Sequence, residues 1–336
     1  MHERSAQPDQ PRPTPPAIRS APFKGWDAVW IERGPLTLIL VPQVGGRIMS
    51  VCWHGRELAF VNPAYQGRVD DIAAITDLHE YKRRVGFLLW GGEKTWLAPQ
   101  DRWTDGVPFV DLDSGAYELS LDRTTGAATM TSPVCRETGV QIERRLELGD
   151  RAGTWRVTHT LRNRSDRDVS WAPWDVDMML RPATVFLPTR HGSPYPNGVR
   201  TFDHEGVSTQ VRDEVVSFLD DIAVISCRQP IRFKYGVDAD PARLLAVLED
   251  RDGGLVGYRK SVPTYYPRPY GDGCVLEVFN APILPYLELE LHGPLASLQP
   301  DESFSVRTDA ALFDLEAVPS TAAAVRECLA IDDPGR

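Results

Sequence analysis

The feature that most limits how this chain can fold is a period-two alternation of apolar and polar residues in short, β-rich stretches. From Val140 to Leu148 one face reads Val140, Ile142, Arg144, Leu146 and Leu148, and the other Gln141, Glu143, Arg145 and Glu147. From Thr154 to Arg162 one face reads Trp155, Val157, His159 and Leu161, and the other Thr154, Arg156, Thr158, Thr160 and Arg162. Successive side chains of a strand point to opposite faces, so each stretch has one face to bury. The residues between them, Gly149-Asp150-Arg151-Ala152-Gly153, have the length and chemistry of a hairpin connection and predict antiparallel pairing. Further strands are expected at Leu36 to Val41, Arg47 to Trp53, Tyr117 to Asp122, Ile222 to Cys227, Leu244 to Leu248, Cys274 to Phe279, Tyr286 to Leu291 and Ser303 to Ala310. Gly, Pro, Asn or Asp breaks the pattern at intervals of about eight to twelve residues, the rhythm of an all-β sandwich or barrel. Helical signals are few. Pro319-Ser320 before an Ala-rich run to Leu329 predicts a short C-terminal helix with Ser320 as its N-cap, and Asp70 to Lys82 fits either a helix or a loop.

Residues 1–21, with Pro8, Pro11, Pro13, Pro15 and Pro16 among polar neighbours, hold too little apolar surface to offset their ordering entropy and read as a disordered Pro-rich tail. No later stretch has the composition of a linker, so residues 22–336 read as a single domain. The balance of 47 acidic against 37 basic residues leaves a net charge of −10, which argues against nucleic acid as a partner. The five cysteines are widely spaced and never form a C-x-x-C pair, so neither a disulfide framework nor a thiolate zinc site is expected. The N-terminus lacks the apolar run of a signal peptide, and no segment approaches the roughly 20 apolar residues of a membrane span. A cytoplasmic protein without a membrane partner is the expectation.

No phosphate-cradling or dinucleotide-binding glycine motif, no G-x-S-x-G and no H-E-x-x-H occurs, and no cofactor is expected. Four local constellations remain. In Tyr286-Leu287-Glu288-Leu289-Glu290-Leu291-His292, alternation places Glu288, Glu290 and His292 on one face, a set suited to general acid and base work if it lines a cleft and to a solvated strand face if it does not. Gly91 to Gln100 combines Lys94, one of only five lysines, with Trp96, an indole platform of the kind on which a sugar's C–H face rests; the same indole also suits a core. Arg47 follows the turn Gly45-Gly46, where its planar donors can fork onto hydroxyls or simply sit at the surface. Trp174 and Asp175 lie in Trp171 to Met178, with His191 further along. Asp175 and Asp177 alternate with apolar neighbours, but two carboxylates are too few to call for a metal. His159, on an apolar strand face, reads as a core histidine with satisfied hydrogen bonds.

The order of these motifs resembles that of the galactose mutarotase-like (aldose 1-epimerase-like) superfamily, most nearly a bacterial branch of it. The likeness rests on Val41-Pro42-Gln43-Val44-Gly45-Gly46-Arg47-Ile48, on Gly91 to Gln100, on Leu161-Arg162-Asn163, and on Glu288-Leu289-Glu290 closing into Leu298-Gln299-Pro300-Asp301-Glu302. It implies an antiparallel β-supersandwich with few short helices and a sugar in a concave groove. It also implies a late-strand glutamate, Glu290 or Glu288, as base toward the anomeric hydroxyl, and Arg47 as a substrate-binding residue. Where the superfamily's acid histidine should stand, this chain has Pro173-Trp174-Asp175-Val176, so the proton donor would have to be His292, His191 or Lys94. The resulting expectation is an isomerase or epimerase of a sugar or sugar-like metabolite. Its catalytic candidates are Glu290, Glu288 and His292, and its substrate-binding candidates are Arg47, Lys94, Trp96, Gln100, Trp174, Asp175 and His191. A non-catalytic carbohydrate-binding protein, or a different proton-transfer enzyme on the same scaffold, are the alternatives.

Overall fold

A computed structural model describes residues 14–202, 214–250 and 252–331. Among them, two large antiparallel sheets carry nearly all of the regular structure. The first has, in hydrogen-bonded order, Ala17–Phe23, Trp26–Arg33, Leu36–Val41, Arg47–Trp53, Gly92–Ala98, Val169–Leu180, Tyr286–His292, Leu276–Asn280, Phe233–Val237 and Val199–Thr201. The second runs Val216–Leu219, Ile222–Cys227, Ala183–Pro188, Ala242–Glu249, Leu255–Val262, Ser303–Leu315, Thr154–Asn163, Val140–Leu148, Ala128–Thr131 and Glu118–Leu121. The all-β sandwich expected from alternation is therefore present. The expected hairpin is too: Val140–Leu148 pairs antiparallel with Thr154–Asn163, and Gly149 N–H donates to the Thr154 carbonyl.

One apolar core draws on both sheets, with Leu38, Ile48, Leu287, Leu289 and Leu291 from the first and Ile142, Leu146, Trp155, Val157 and Leu244 from the second. Ala322–Ala330 is a short helix that packs Ala322, Val325 and Leu329 against Phe186, Leu245 and Val247. Its N-cap is Thr321, one residue beyond the expected Ser320, and the Thr321 hydroxyl accepts from Ala324 N–H. In the stretch 70–82, a single turn at Ile72–Ala74 precedes a helix at Leu78–Val85 capped by Asp77.

Part of the stretch expected to be a disordered tail forms regular structure. Residues 1–13 lie outside the described residues, but Ala17–Phe23 is an edge strand paired with Trp26–Arg33. Lys24 and Gly25, both at positive φ, form the two-residue turn that such a hairpin needs. Pro22 is tolerated because an edge strand can do without one amide donor.

A candidate active site on the outer face of the first sheet

Register brings the candidates together. Across the sheet Lys94 lies opposite Val176, Val176 opposite Glu290, and Glu290 opposite Glu277. One pair along, Trp96 lies opposite Trp174 and Trp174 opposite His292. Every second residue shares a face, so Lys94, Trp96, Trp174, Glu288, Glu290, His292 and Glu277 all project from the side facing away from the second sheet. This side is not solvated: all seven residues of Tyr286–His292 are buried, and Trp96, Trp103 and Trp174 pack edge-on and tilted against one another beside Lys94 and His292.

The polar contacts on this face interlock. Trp174 Nε1 donates to Glu290 Oε2 at 2.9 Å, and Lys234 Nζ donates to the same oxygen at 2.9 Å. Lys234 Nζ also lies 2.7 Å from Glu277 Oε2, and Glu277 Oε1 is 3.4 Å from His292 Nε2. Lys94 Nζ donates to Glu288 Oε1 at 3.2 Å and sits 4.3 Å from the centre of the Trp96 ring. The Trp174 and His292 rings stack, with centroids 4.9 Å apart and planes 23° apart. Glu290 Oε1 has no hydrogen-bond partner among the described residues.

These surroundings split the carboxylates. Burial pushes the Glu290 carboxyl up to about 7; Lys234 opposes the rise, while Glu277 and Glu288 add to it. Burial would raise Glu277 as well, but Lys234 and His292 together outweigh it and hold that carboxyl down at about 2. At His292, burial is outweighed by Glu277, Asp272 and Glu290, so the imidazole holds its proton more firmly than usual. Burial lowers Lys94 despite Glu288, which makes its ammonium a better proton donor. A carboxyl that titrates near neutrality beside one that stays ionised is the arrangement general base chemistry uses.

Three of the residues expected at the site are placed or engaged differently from this cluster. Asp175 follows Trp174 in one continuous strand and therefore points the other way, into the space between the sheets. There Lys260 Nζ donates at 2.6 Å to both Asp175 Oδ2 and Asp177 Oδ2, and Arg144 donates at 2.6 Å to Glu93 Oε1. His191 is exposed and opens on a separate surface cavity with Arg190, Tyr195, Phe218 and Asp221. Arg47 lies beside the site, but its forked nitrogens are taken by the Gly91 carbonyl and by Asp113. The reason is local: Gly45 and Gly46, at positive φ, leave room for the Val110–Asp113 turn and Tyr117 to press against the backbone, where any Cβ would collide with them. Asp113 also accepts from Trp96 Nε1 at 2.7 Å, so Arg47 braces the indole through Asp113. Gln100 borders the His292 end, its N–H 3.4 Å from Asp272 Oδ1. His159 is the core histidine expected, with Nδ1 at 2.7 Å from Thr95 Oγ1 and Nε2 at 3.0 Å from Thr308 Oγ1.

Sequence reasoning missed Lys234, Glu277 and Asp272. The signal for the first two was a lone charge inside an apolar run, Phe233-Lys234-Tyr235 and Leu276-Glu277-Val278, in strands buried on both faces.

The cluster between the sheets carries a pH signature. Burial, with Asp175 and Asp177 nearby, raises Glu93 from 4.5 to about 7 against the pull of Lys260 and Arg144. A carboxyl whose folded value lies above its unfolded one binds more protons when folded, so stability falls as pH rises from about 4.5 to 7. Glu93→Gln is expected to remove part of that decline, on the order of 1–3 kcal/mol between pH 5 and 7.5. Urea unfolding of both proteins across this range checks it; parallel profiles would refute it.

With this geometry in view, solved structures give a consistent match. The Slr1438 protein from Synechocystis sp. PCC 6803 aligns with a TM-score of 0.55 at 14% identity over 93% of this chain and 99% of its own. A galactose mutarotase-like protein from Lactobacillus casei ATCC 334 aligns with a TM-score of 0.55 at 11% identity over 85% of this chain and 100% of its own. A galactose mutarotase-like protein from Clostridium acetobutylicum gives 0.51 at 10% identity, over 90% and 99%. The fold is galactose mutarotase-like. No family model and no curated protein matches the sequence. In this galactose mutarotase-like fold the five cysteines are unpaired, and no helix among the described residues is long and apolar enough to cross a membrane.

Proposed function

We propose that the face carrying Lys94, Trp96, Trp174, Glu288 and Glu290 binds a sugar or similarly polyhydroxylated small molecule, and that Glu290 is the general base of an isomerase or epimerase reaction on it. One observation carries the reading: Glu290 has one oxygen fixed by Trp174 and Lys234, while the other is buried and without a hydrogen-bond partner among the described residues. An acceptor held in that way suits a ligand hydroxyl, and its affinity for a proton near neutrality suits taking one. Lys94 lies across Val176 from Glu290, with one carboxylate partner for its three donors and a weakened hold on its proton. It is the group we assign to protonate the ring oxygen, the step for which Trp174 offers no acid.

Nuclear magnetic resonance of anomer exchange in a panel of free aldoses and ketoses tests the reading, with catalysed exchange of at least one sugar as the expected result. Trp174 itself favours a second reading, in which the site binds a sugar without turning it over. Calorimetric binding of a sugar whose exchange is not accelerated would decide for that second reading. Neither binding nor exchange across the panel would refute both.

A further inference from the structure

Next to Glu290 is a group of side chains that the proposed reaction leaves unused. Asp272, Glu277 and His292 each place one ligand-type atom within 4.8 Å of the others, and Glu277 Oε1 is 3.4 Å from His292 Nε2. His292 is fully buried, yet neither of its ring nitrogens has a hydrogen-bond partner among the described residues; the same holds for Glu277 Oε1 and Asp272 Oδ2. Buried polar atoms are normally satisfied, and unsatisfied atoms on three residues whose ligand-type atoms lie within 4.8 Å of one another mark a place built for something else.

We infer that Asp272, Glu277 and His292 form a site for a divalent first-row transition ion, of the class of Mn²⁺ or Zn²⁺. One imidazole nitrogen with two carboxylate oxygens is a donor set for those ions, whereas Ca²⁺ and Mg²⁺ favour oxygen alone. Ligand atoms around a tetrahedral ion with bonds of about 2.1 Å lie about 3.4 Å apart. Glu277 Oε1 and His292 Nε2 already have that separation, at 3.4 Å, so it is the third ligand, Asp272, that has to move closer, by on the order of an ångström. Asp272 can supply that movement, because it is half-buried, outside the flanking strand Leu276–Asn280. The outer contacts fit as well. Lys234 holds Glu277 Oε2 at 2.7 Å and thereby turns Oε1 toward His292, and the stacked Trp174 ring fixes the imidazole plane. Lys234 Nζ is shared between Glu277 and Glu290, and a dication bound in place of the His292 proton would add positive charge where Asp272 and Glu277 meet. A bound ion would give this end of the face an electrophile for a ligand oxygen. The inference does not require the sugar reading, since the ion needs no sugar to bind.

The test uses the intact protein, stripped with chelator and titrated calorimetrically with Mn²⁺ and with Zn²⁺, and with Co²⁺ as a visible-absorption probe. One equivalent is expected to bind, with a Co²⁺ spectrum characteristic of nitrogen and oxygen ligands. His292→Ala should abolish this binding, and Asp272→Asn should weaken it about 10- to 100-fold. If His292→Ala does not fold, as judged by its melting curve, Asp272→Asn decides alone, because its side chain is half-exposed and outside the core. The inference is overturned if neither ion binds saturably, or if both folded variants bind like the wild type. Metal binding without catalysed sugar exchange would sink only the reading under Proposed function, and exchange without metal binding only this one.

Discussion

Glu290→Gln is expected to lower catalysed anomer exchange by at least about a hundredfold while leaving sugar affinity within about tenfold. The substitution keeps the shape of the side chain and an oxygen for Trp174 Nε1 and Lys234, whose distances to Oε2 are both 2.9 Å. What it removes is the capacity to accept a proton. Lys234 keeps Glu277 as a partner at 2.7 Å, so no buried charge is stranded and the fold should survive. Glu288→Gln should have a smaller effect: that carboxylate accepts from Lys94 at 3.2 Å, and its loss perturbs the donor more than the base. Exchange rates by nuclear magnetic resonance, affinity by calorimetry and melting curves on all three proteins separate the roles. A hundredfold loss in Glu288→Gln with little change in Glu290→Gln would transfer the base assignment to Glu288.

Much of this architecture was legible in the sequence because alternation is a local property. Leu36–Val41, Arg47–Trp53, Val140–Leu148 and Ile222–Cys227 form strands with the bounds that their patterns gave, and the shared face of Glu288, Glu290 and His292 followed from parity alone. Parity also holds the lesson of Asp175. Once Val169–Leu180 is a continuous strand, Trp174 and Asp175 point to opposite faces of the sheet and cannot serve the same site. Covering is what no local pattern reveals. The polar face of Tyr286–His292 looks solvated in isolation and is buried, with His292 stacked on Trp174 and Tyr286 on Phe60, residues far away in sequence. Arg47 was lost for the same reason: its partner Asp113 lies 66 residues away. The edge strand Ala17–Phe23 escaped because its composition is that of a tail, and only its pairing with Trp26–Arg33 orders it.

The largest effect on stability should come from the opposite side of the same strands. Asp175, Asp177 and Lys260 are each about 1% exposed, and Lys260 Nζ lies 2.6 Å from a carboxylate oxygen of both aspartates. Lys260→Ala would leave two buried carboxylates without their shared cation, a change expected to cost about 3–5 kcal/mol. Burial raises Asp177, and Asp175 adds to that rise even against Lys260, so one of the pair should take up a proton once the lysine is gone. Lys260→Met combined with Asp175→Asn and Asp177→Asn removes all three charges and is expected to recover most of the loss, because the cost lies in stranding charge and not in the absence of the pair. Urea midpoints for the single and triple variants measure both quantities; a single variant that loses less than about 1 kcal/mol would contradict the buried arrangement. The consequence should reach the site. Asp175 and Asp177 flank Val176 in the strand that presents Trp174 on its other face, so sugar affinity should fall in Lys260→Ala and return in the triple variant together with the stability.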